Sequence, residues 1–193
     1  MTRIIAGEAR GRTIKVPAEG TRPTADRARE GLFSSLNARW GFAGSSVLDL
    51  FAGSGALGLE AASRGAEEAV LVESSADAVK VIRHNMGVVK HPGVRVQEMK
   101  VGTYLAGAPR KHFDLVLADP PYAFDEVDEL IAAIEPVLTD RAMVVIERHV
   151  DSADTVWPAG FSPTGQKLKK RTFGIARMDM AVYTRPGSED AED

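Results

Sequence analysis

The chain has 193 residues, 44% hydrophobic and 26% charged, with no cysteine and a net charge of −3, which excludes a disordered polymer, a collagen, a disulfide scaffold and thiolate chemistry. Its longest uncharged run, residues 155–166, holds twelve residues and two prolines, whereas a membrane helix needs roughly twenty apolar residues. The N-terminus has no apolar export segment, so a cytoplasmic protein is expected.

The charge is segregated along the chain: +4 over residues 1–39, −8 over 40–164, +5 over 165–185 and −4 over the last eight residues. Basic flanks around an acidic middle suit a polyanionic partner, because each phosphate neutralised releases counterions. The expected organisation is a basic hairpin-and-helix extension (1–39), a main domain (40–185) and a disordered acidic tail (186–193).

Arg3–Ile5 and Thr13–Val16 read as a β-hairpin, and Thr24 as the cap of a helix reaching about Ala38. From residue 46 short apolar strands alternate with helices: strand 46–50, helix 56–64, strand 69–72, helix 76–86, strand 94–97, a helical turn at 101–106, strand 113–118, helix 126–138 interrupted by Pro136, and strand 142–147. Lys167–Phe173 and Ala176–Tyr183 then read as an antiparallel pair. Repeated βα units imply an α/β fold with a parallel sheet covered on both faces, made mixed by the closing hairpin. Ligands of such sheets bind beyond the carboxyl ends of the strands.

Two motifs fall at strand ends. Gly53-x-Gly55-x-x-Gly58 follows the first strand and opens a helix, and Glu73 lies twenty residues beyond Gly53. A tight structural turn also produces such a pattern, but with Glu73 it resembles a nucleotide fingerprint, the acid meeting ribose hydroxyls. Asp49 distinguishes the nucleotides: a carboxylate before the loop repels a pyrophosphate but attracts the sulfonium and ammonium of S-adenosylmethionine. The second motif is Asp119-Pro120-Pro121-Tyr122. Asp119 and the Pro120 carbonyl can each accept an N–H of an exocyclic base amine, the prolines hold those acceptors in place, and Tyr122 can stack on the base. No metal is required. His84, His91, His112 and His149 have no metal-ligand spacing and no paired carboxylate motif, and read as surface or helix-end residues. Trp40 reads as a staple after the first helix and Trp157 as a loop anchor.

The glycine loop together with Asp-Pro-Pro-Tyr resembles the class I amino-methyltransferases. Arg3-Ile-Ile-Ala-Gly7, Gly11-Arg12, Thr21-Arg-Pro-Thr24 and Arg27-x-Arg29-Glu30 resemble the RsmD family of bacterial small-subunit ribosomal RNA guanine-N2 methyltransferases, over Arg3 to about Tyr183. The resemblance implies a Rossmann-like, seven-stranded mixed sheet with a small N-terminal β-hairpin, S-adenosylmethionine as cofactor, and one guanine of 16S rRNA in the assembling 30S subunit as substrate. It implies cofactor contacts from Asp49, Phe51, Gly53, Gly55, Glu73 and Val101, with Asp119, Pro120 and Tyr122 at the target amine. Arg22, Thr24 and Arg27 border the pocket by the same likeness. Arg10, Arg12, Lys15, Lys169 and Lys170 are expected on RNA, and a monomer is expected. Lys100 stands where the family usually has an acid or Asn facing the adenine, and Phe173-Gly-Ile-Ala176 where it often has Tyr-Gly-Asp-Thr. Three rivals remain: an adenine-N6 methyltransferase acting on RNA or DNA, an NAD-dependent oxidoreductase, and an rRNA-binding assembly factor with a dead methyltransferase fold.

Overall fold

A computed structural model describes residues 1–16, 23–164 and 174–188, the first three residues of the segment that starts at 23 by backbone alone. The expected Lys167–Phe173 strand, Arg22, Lys169, Lys170 and the end of the acidic tail lie outside these residues. Among the described residues, no helix is long and apolar enough to cross a membrane.

Strands β1 (Thr2–Arg3) and β2 (Thr13–Ile14) form a short antiparallel hairpin, and α1 spans Pro23–Arg39. Helical backbone therefore begins at Pro23, one residue before the expected Thr24 cap. Proline suits the first helical turn because its missing N–H has no partner to lose there.

The alternating region then runs β3 (Ser46–Leu50), α2 (Ala56–Ser63), β4 (Glu68–Glu73), α3 (Ala76–Val89), β5 (Val94–Glu98), α4 (Val101–Gly107), β6 (Phe113–Ala118) and α5 (Val127–Ile134). The expected helix through Leu138 stops at Ile134 because Pro136 cannot continue it; a single 3-10 turn, Glu135–Val137, leads straight into β7 (Leu138–His149). β7 starts four residues before the expected Ala142. Its polar opening, Thr139-Asp-Arg141, hides the strand from a reading based on apolar runs. Strands β8 (Phe161–Pro163) and β9 (Ala176–Thr184) are the last elements among the described residues. The closing antiparallel partners of β9 are thus β7 and β8.

The seven-stranded sheet has the order β5-β4-β3-β6-β7-β9-β8, parallel from β5 to β7 and antiparallel about β9. The order reverses between β3 and β6, which opens a crevice at their carboxyl ends. Alternate residues of each strand feed two apolar layers. Val47, Leu71, Leu115 and Val145 pack with α1, α2 and α3, while Leu48, Val70, Val116 and Ile146 pack with α4 and α5.

The hairpin and α1 join the first layer through Ile4, Ile14, Leu32, Phe33 and Leu36, all at most 1% exposed. Polar groups fix that junction. Glu60, fully buried on α2, accepts the N–H groups of Ile5 and Ala6 and the Nε–H of Arg64. Ser63 accepts from the Ala9 N–H and donates to the Ala6 carbonyl. Gly7, at φ +85°, passes so close to α2 that a Cβ would lie 1.7 Å from the Ser63 carbonyl oxygen. Only glycine fits there. Trp40 follows α1 as expected, with the Arg141 guanidinium 4.8 Å over its ring, and Trp157 stacks on Phe161.

Candidate active site

The carboxyl ends of the parallel strands carry four acids: Asp49 on β3, Glu73 on β4, Asp119 just past β6 and Glu147 on β7. Asp49 is 1% exposed. Its Oδ2 accepts the Gly58 N–H at 2.9 Å, and its Oδ1 has no hydrogen-bond partner. Burial, with lesser contributions from the charges of Asp119 and Glu73, pushes its carboxyl up to about 8 against the one bond from Gly58 that favours ionisation.

The glycine loop follows from this geometry. Gly55 sits at φ +79°, where a Cβ would also lie 2.6 Å from Leu71 Cδ2, so neither backbone nor packing admits a side chain. Phe51 takes a left-handed φ of 58° without being glycine, a conformation that costs about 1–3 kcal/mol. Its ring is held edge-on to Phe124, 5.4 Å between centroids. Glu73 closes the loop from the neighbouring strand: Oε2 accepts the Gly53 N–H at 2.8 Å and Oε1 the Ser75 N–H at 2.9 Å. Each carboxylate oxygen has a second lone pair for a ligand hydroxyl.

Beside this loop lies an apolar cleft of about 490 Å³, walled by Phe51, Val72, Val101, Leu105, Phe124 and Leu130, with Glu73 and Lys100 at its edges. The volume suits a small nucleoside-sized ligand. Phe51, Glu73 and Val101 therefore share one cleft, with Gly53 tied to it through Glu73. Lys100 lines the same cleft at the start of α4.

Asp119 donates its N–H to the Leu50 carbonyl at 3.3 Å, which ties the end of β6 to the end of β3. Its side chain keeps an exposed edge, yet desolvation raises its carboxyl to about 6. Pro120 is buried, while Tyr122 is 48% exposed and available to a flat partner. The Tyr122 hydroxyl donates to Glu147 Oε1 at 3.3 Å, and its ring meets that of His149 edge-on at 5.3 Å. Glu147 is raised to about 7 by burial and by the charge of Asp119, with the Tyr122 bond acting the other way.

Glu147 was not singled out by sequence reasoning. No motif surrounds it, and only the pairing of Ala118 with Ile146 puts it beside Asp119. Two partly exposed histidines also make contacts that the sequence motifs do not report: His149 packs on Tyr122, and His112 Nε2 lies 2.6 Å from Glu68 Oε2. Both of these partners lie far away in the sequence, which is why spacing did not reveal them. Among the described residues, no group of three or more His, Asp or Glu could hold a metal ion.

The basic residues are divided. Arg10 and Arg27 are exposed. Arg12 Nη1 donates to the carbonyls of Val88 and Val89, at 3.2 and 2.7 Å, so it caps the end of α3. Lys15 is held by its backbone: its N–H donates to Asn85 Oδ1, and its carbonyl accepts from Asn85 Nδ2. The same Nδ2 donates to the Ser54 carbonyl in the glycine loop.

Comparison with known proteins follows the same lines. Residues 2–181 match the family described as Conserved hypothetical protein 95. Ribosomal RNA small subunit methyltransferase D of Escherichia coli (strain K12) is 37% identical over 169 residues, covering 86% of this chain and 84% of that protein. The solved structure of yhhF from Escherichia coli superposes with a TM-score of 0.80 at 34% identity, over 95% of this chain and 98% of that one. A SAM dependent methyltransferase from Aquifex aeolicus shares the fold at 13% identity, with a TM-score of 0.61 over 81% and 89% of the two chains. With a match across nearly its whole length, this chain belongs to the Conserved hypothetical protein 95 family, which is the RsmD family that its motifs resemble.

Proposed function

We propose that this protein transfers a methyl group from S-adenosylmethionine to the exocyclic N2 amine of one guanine in 16S rRNA of the assembling small ribosomal subunit. The observation that carries the reading is the buried, half-satisfied Asp49 near the carboxyl end of β3, two residues before Phe51 of the nucleoside-sized apolar cleft and one strand away from Asp-Pro-Pro-Tyr. The name of the Escherichia coli relative supports the ribosomal RNA substrate.

The residues present fit the cofactor. An orphaned, buried carboxylate oxygen calls for a cationic or hydrogen-bonding partner, and the amino-acid ammonium is such a group. Glu73 would accept the ribose hydroxyls, while Phe51, Val101 and Leu105 would enclose the adenine, with Lys100 at the rim. When bound, S-adenosylmethionine supplies an electrophilic methyl on a sulfonium centre.

The chain's own residues do the rest. Asp119 and the Pro120 carbonyl accept the two N–H bonds of the target amine and aim its lone pair, and Tyr122 holds the base flat. Alignment and proximity account for most of the acceleration. The proton released by the methylated amine has Asp119 as its nearest acceptor, a group already poised near neutrality. The base must be unpaired or extruded to reach this position.

Incubation of unmethylated 30S particles with tritiated S-adenosylmethionine, followed by nucleoside analysis, tests the assignment. Labelled N2-methylguanosine is expected. Labelled N6-methyladenosine, or no label in 16S rRNA, would sink it.

A further inference from the structure

The pairing of β6 with β7 sets two acids on one rung. Ala118 lies opposite Ile146, so Asp119 and Glu147 are the next residues along adjacent parallel strands, about 4.8 Å apart at the backbone. The two acids share Tyr122, which belongs to the Asp-Pro-Pro-Tyr turn and donates its hydroxyl to Glu147 Oε1. The proposed reaction uses Asp119 for the amine and leaves Glu147 without a task. A base stacked on Tyr122 with its amine at Asp119 presents the neighbouring atoms of its edge toward the second acid.

The three amino bases differ at that neighbouring position. Beside the adenine N6 amine stands N1, and beside the cytosine N4 amine stands N3; both are acceptors that a carboxylate repels. Beside the guanine N2 amine stands N1–H, a donor. Two acceptors on adjacent strands therefore match a contiguous donor pair, and guanine alone among the amino bases has one.

We propose that Glu147 is the guanine-selecting residue of the site, its carboxylate accepting N1–H while Asp119 accepts the N2 amine. This inference rests on the guanine-N2 reading above and adds the residue that enforces it. The Tyr122 hydroxyl fixes the Glu147 carboxylate and favours its ionised form. The facing groups are Asp119, whose charge opposes ionisation, and Tyr122, backed by the His149 ring. A seated guanine adds the donors that offset the repulsion between the two acids. In a site built for that donor, a base lacking it leaves a desolvated carboxylate facing a lone pair.

The test uses 30S particles reconstituted with 16S rRNA in which the target guanine is retained or replaced by 2-aminopurine. That analogue keeps the N2 amine but has a bare N1. The ratio of kcat/KM for the two particles is measured with the wild-type chain, Glu147→Gln and Glu147→Ala. Calorimetry with S-adenosylhomocysteine and a melting curve are run on each variant. The wild type is expected to favour guanine by roughly a hundredfold. Glu147→Gln, whose amide can donate to a bare N1, is expected to bring the ratio below about tenfold by losing guanine activity while holding or gaining on the analogue. Glu147→Ala narrows the ratio by losing guanine activity alone. Cofactor-product affinity and melting temperature stay at wild-type values.

A wild-type ratio near one, a ratio unchanged in both variants, or equal losses on both particles overturns the inference. So does a variant whose melting temperature and cofactor-product affinity fall with its activity, since Glu147 would then be structural. Absence of N2-methylguanosine from the wild-type reaction overturns the guanine-N2 reading as well, which separates the two failures.

Discussion

Two buried carboxylates lie on consecutive elements of the same layer and have opposite fates. Glu60, at the junction of α2 with the hairpin, is fully buried and accepts two backbone N–H groups and a guanidinium. Asp49, at the end of β3, is equally enclosed but receives one backbone N–H, and its other oxygen has no hydrogen-bond partner. A buried charge is tolerated when it is fully paired. The first region therefore uses its acid to join two pieces of chain. The second keeps its acid under-satisfied, with burial holding a proton on it to about pH 8. Burial alone does not mark a functional acid; an unfilled lone pair does.

The comparison breaks most visibly at Glu60. Glu60→Ala leaves two N–H donors and Arg64 without their acceptor and should lower stability by about 3 kcal/mol or more. For a chain of this size that is a fall of about 10 °C in melting temperature. A shift under about 3 °C by calorimetry would mean that the apolar layer, and not the acid, holds the hairpin.

Asp119→Ala tests the acid assigned to the substrate. Turnover on 30S particles should fall about a hundredfold or more, from the absence of a charge-assisted hydrogen bond and a misaligned amine. Affinity for S-adenosylhomocysteine should stay within about twofold, because Asp119 is assigned to the target amine and not to the cofactor. Affinity falling in step with turnover would move Asp119 into the cofactor site.

Asp49→Asn sharpens the contrast, because it should cost cofactor affinity and not stability. Binding of S-adenosylmethionine should weaken about tenfold, or 1.4 kcal/mol. The sign of the pH effect follows from the raised carboxyl. The folded state keeps a proton that the unfolded state releases near its ordinary value, so this contribution is complete below about pH 4 and is lost as pH rises through about 8. Asp119 and Glu147 act in the same direction up to about 6 and 7. Urea denaturation of the ligand-free protein should therefore show stability declining from pH 5 to pH 8, and less steeply in Asp49→Asn. Equal slopes would place the uptake of the proton elsewhere.

The smallest effect is expected at the hairpin. Neutralising Arg10, Arg12 and Lys15 together should reduce the log–log salt slope of rRNA binding by roughly 0.7–0.9 for each phosphate that these cations neutralise in the wild type. Arg12 also caps α3, so Arg12→Ala alone should lower the melting temperature, whereas Arg10→Ala should not. Parallel salt lines for the wild type and the triple variant would remove the hairpin from the RNA surface.

Most of the fold was legible because β3 and β6 are short, mostly apolar strands, each with one acid, followed by the glycine loop and by Pro120-Pro121, while Pro136 marks the end of α5. Asp49, Glu73 and Asp119 were legible for a related reason: each lies at or near the carboxyl end of a strand, Asp49 four residues before Gly53, Glu73 twenty residues after it and Asp119 directly before Pro120. What escaped reading depended on pairing across long separations. Glu147 acquires its meaning from a strand twenty-eight residues earlier, Glu60 from backbone at Ile5, and Asn85 from Lys15 and Ser54. Arg12 looked like a free cation because no local pattern reports a carbonyl seventy-seven residues away. The early start of β7 was hidden by Thr139, Asp140 and Arg141, and the partners of the first two, Asp114 and Arg185, lie on other segments.

The place of β9 between β7 and β8 has a consequence for biosynthesis. β7 is twelve residues long and pairs over Arg141–His149 with residues 176–184, and among the described residues β8 has no strand beside it other than β9. During synthesis the growing chain therefore carries a long, apolar, open strand edge from the moment β7 docks until β9 has been made. Such an edge is a template for intermolecular pairing. The vulnerable interval is thus the one between the docking of β7 and the synthesis of residues 176–184, and a chain cut short before Ala176 would keep that edge of β7 unpaired.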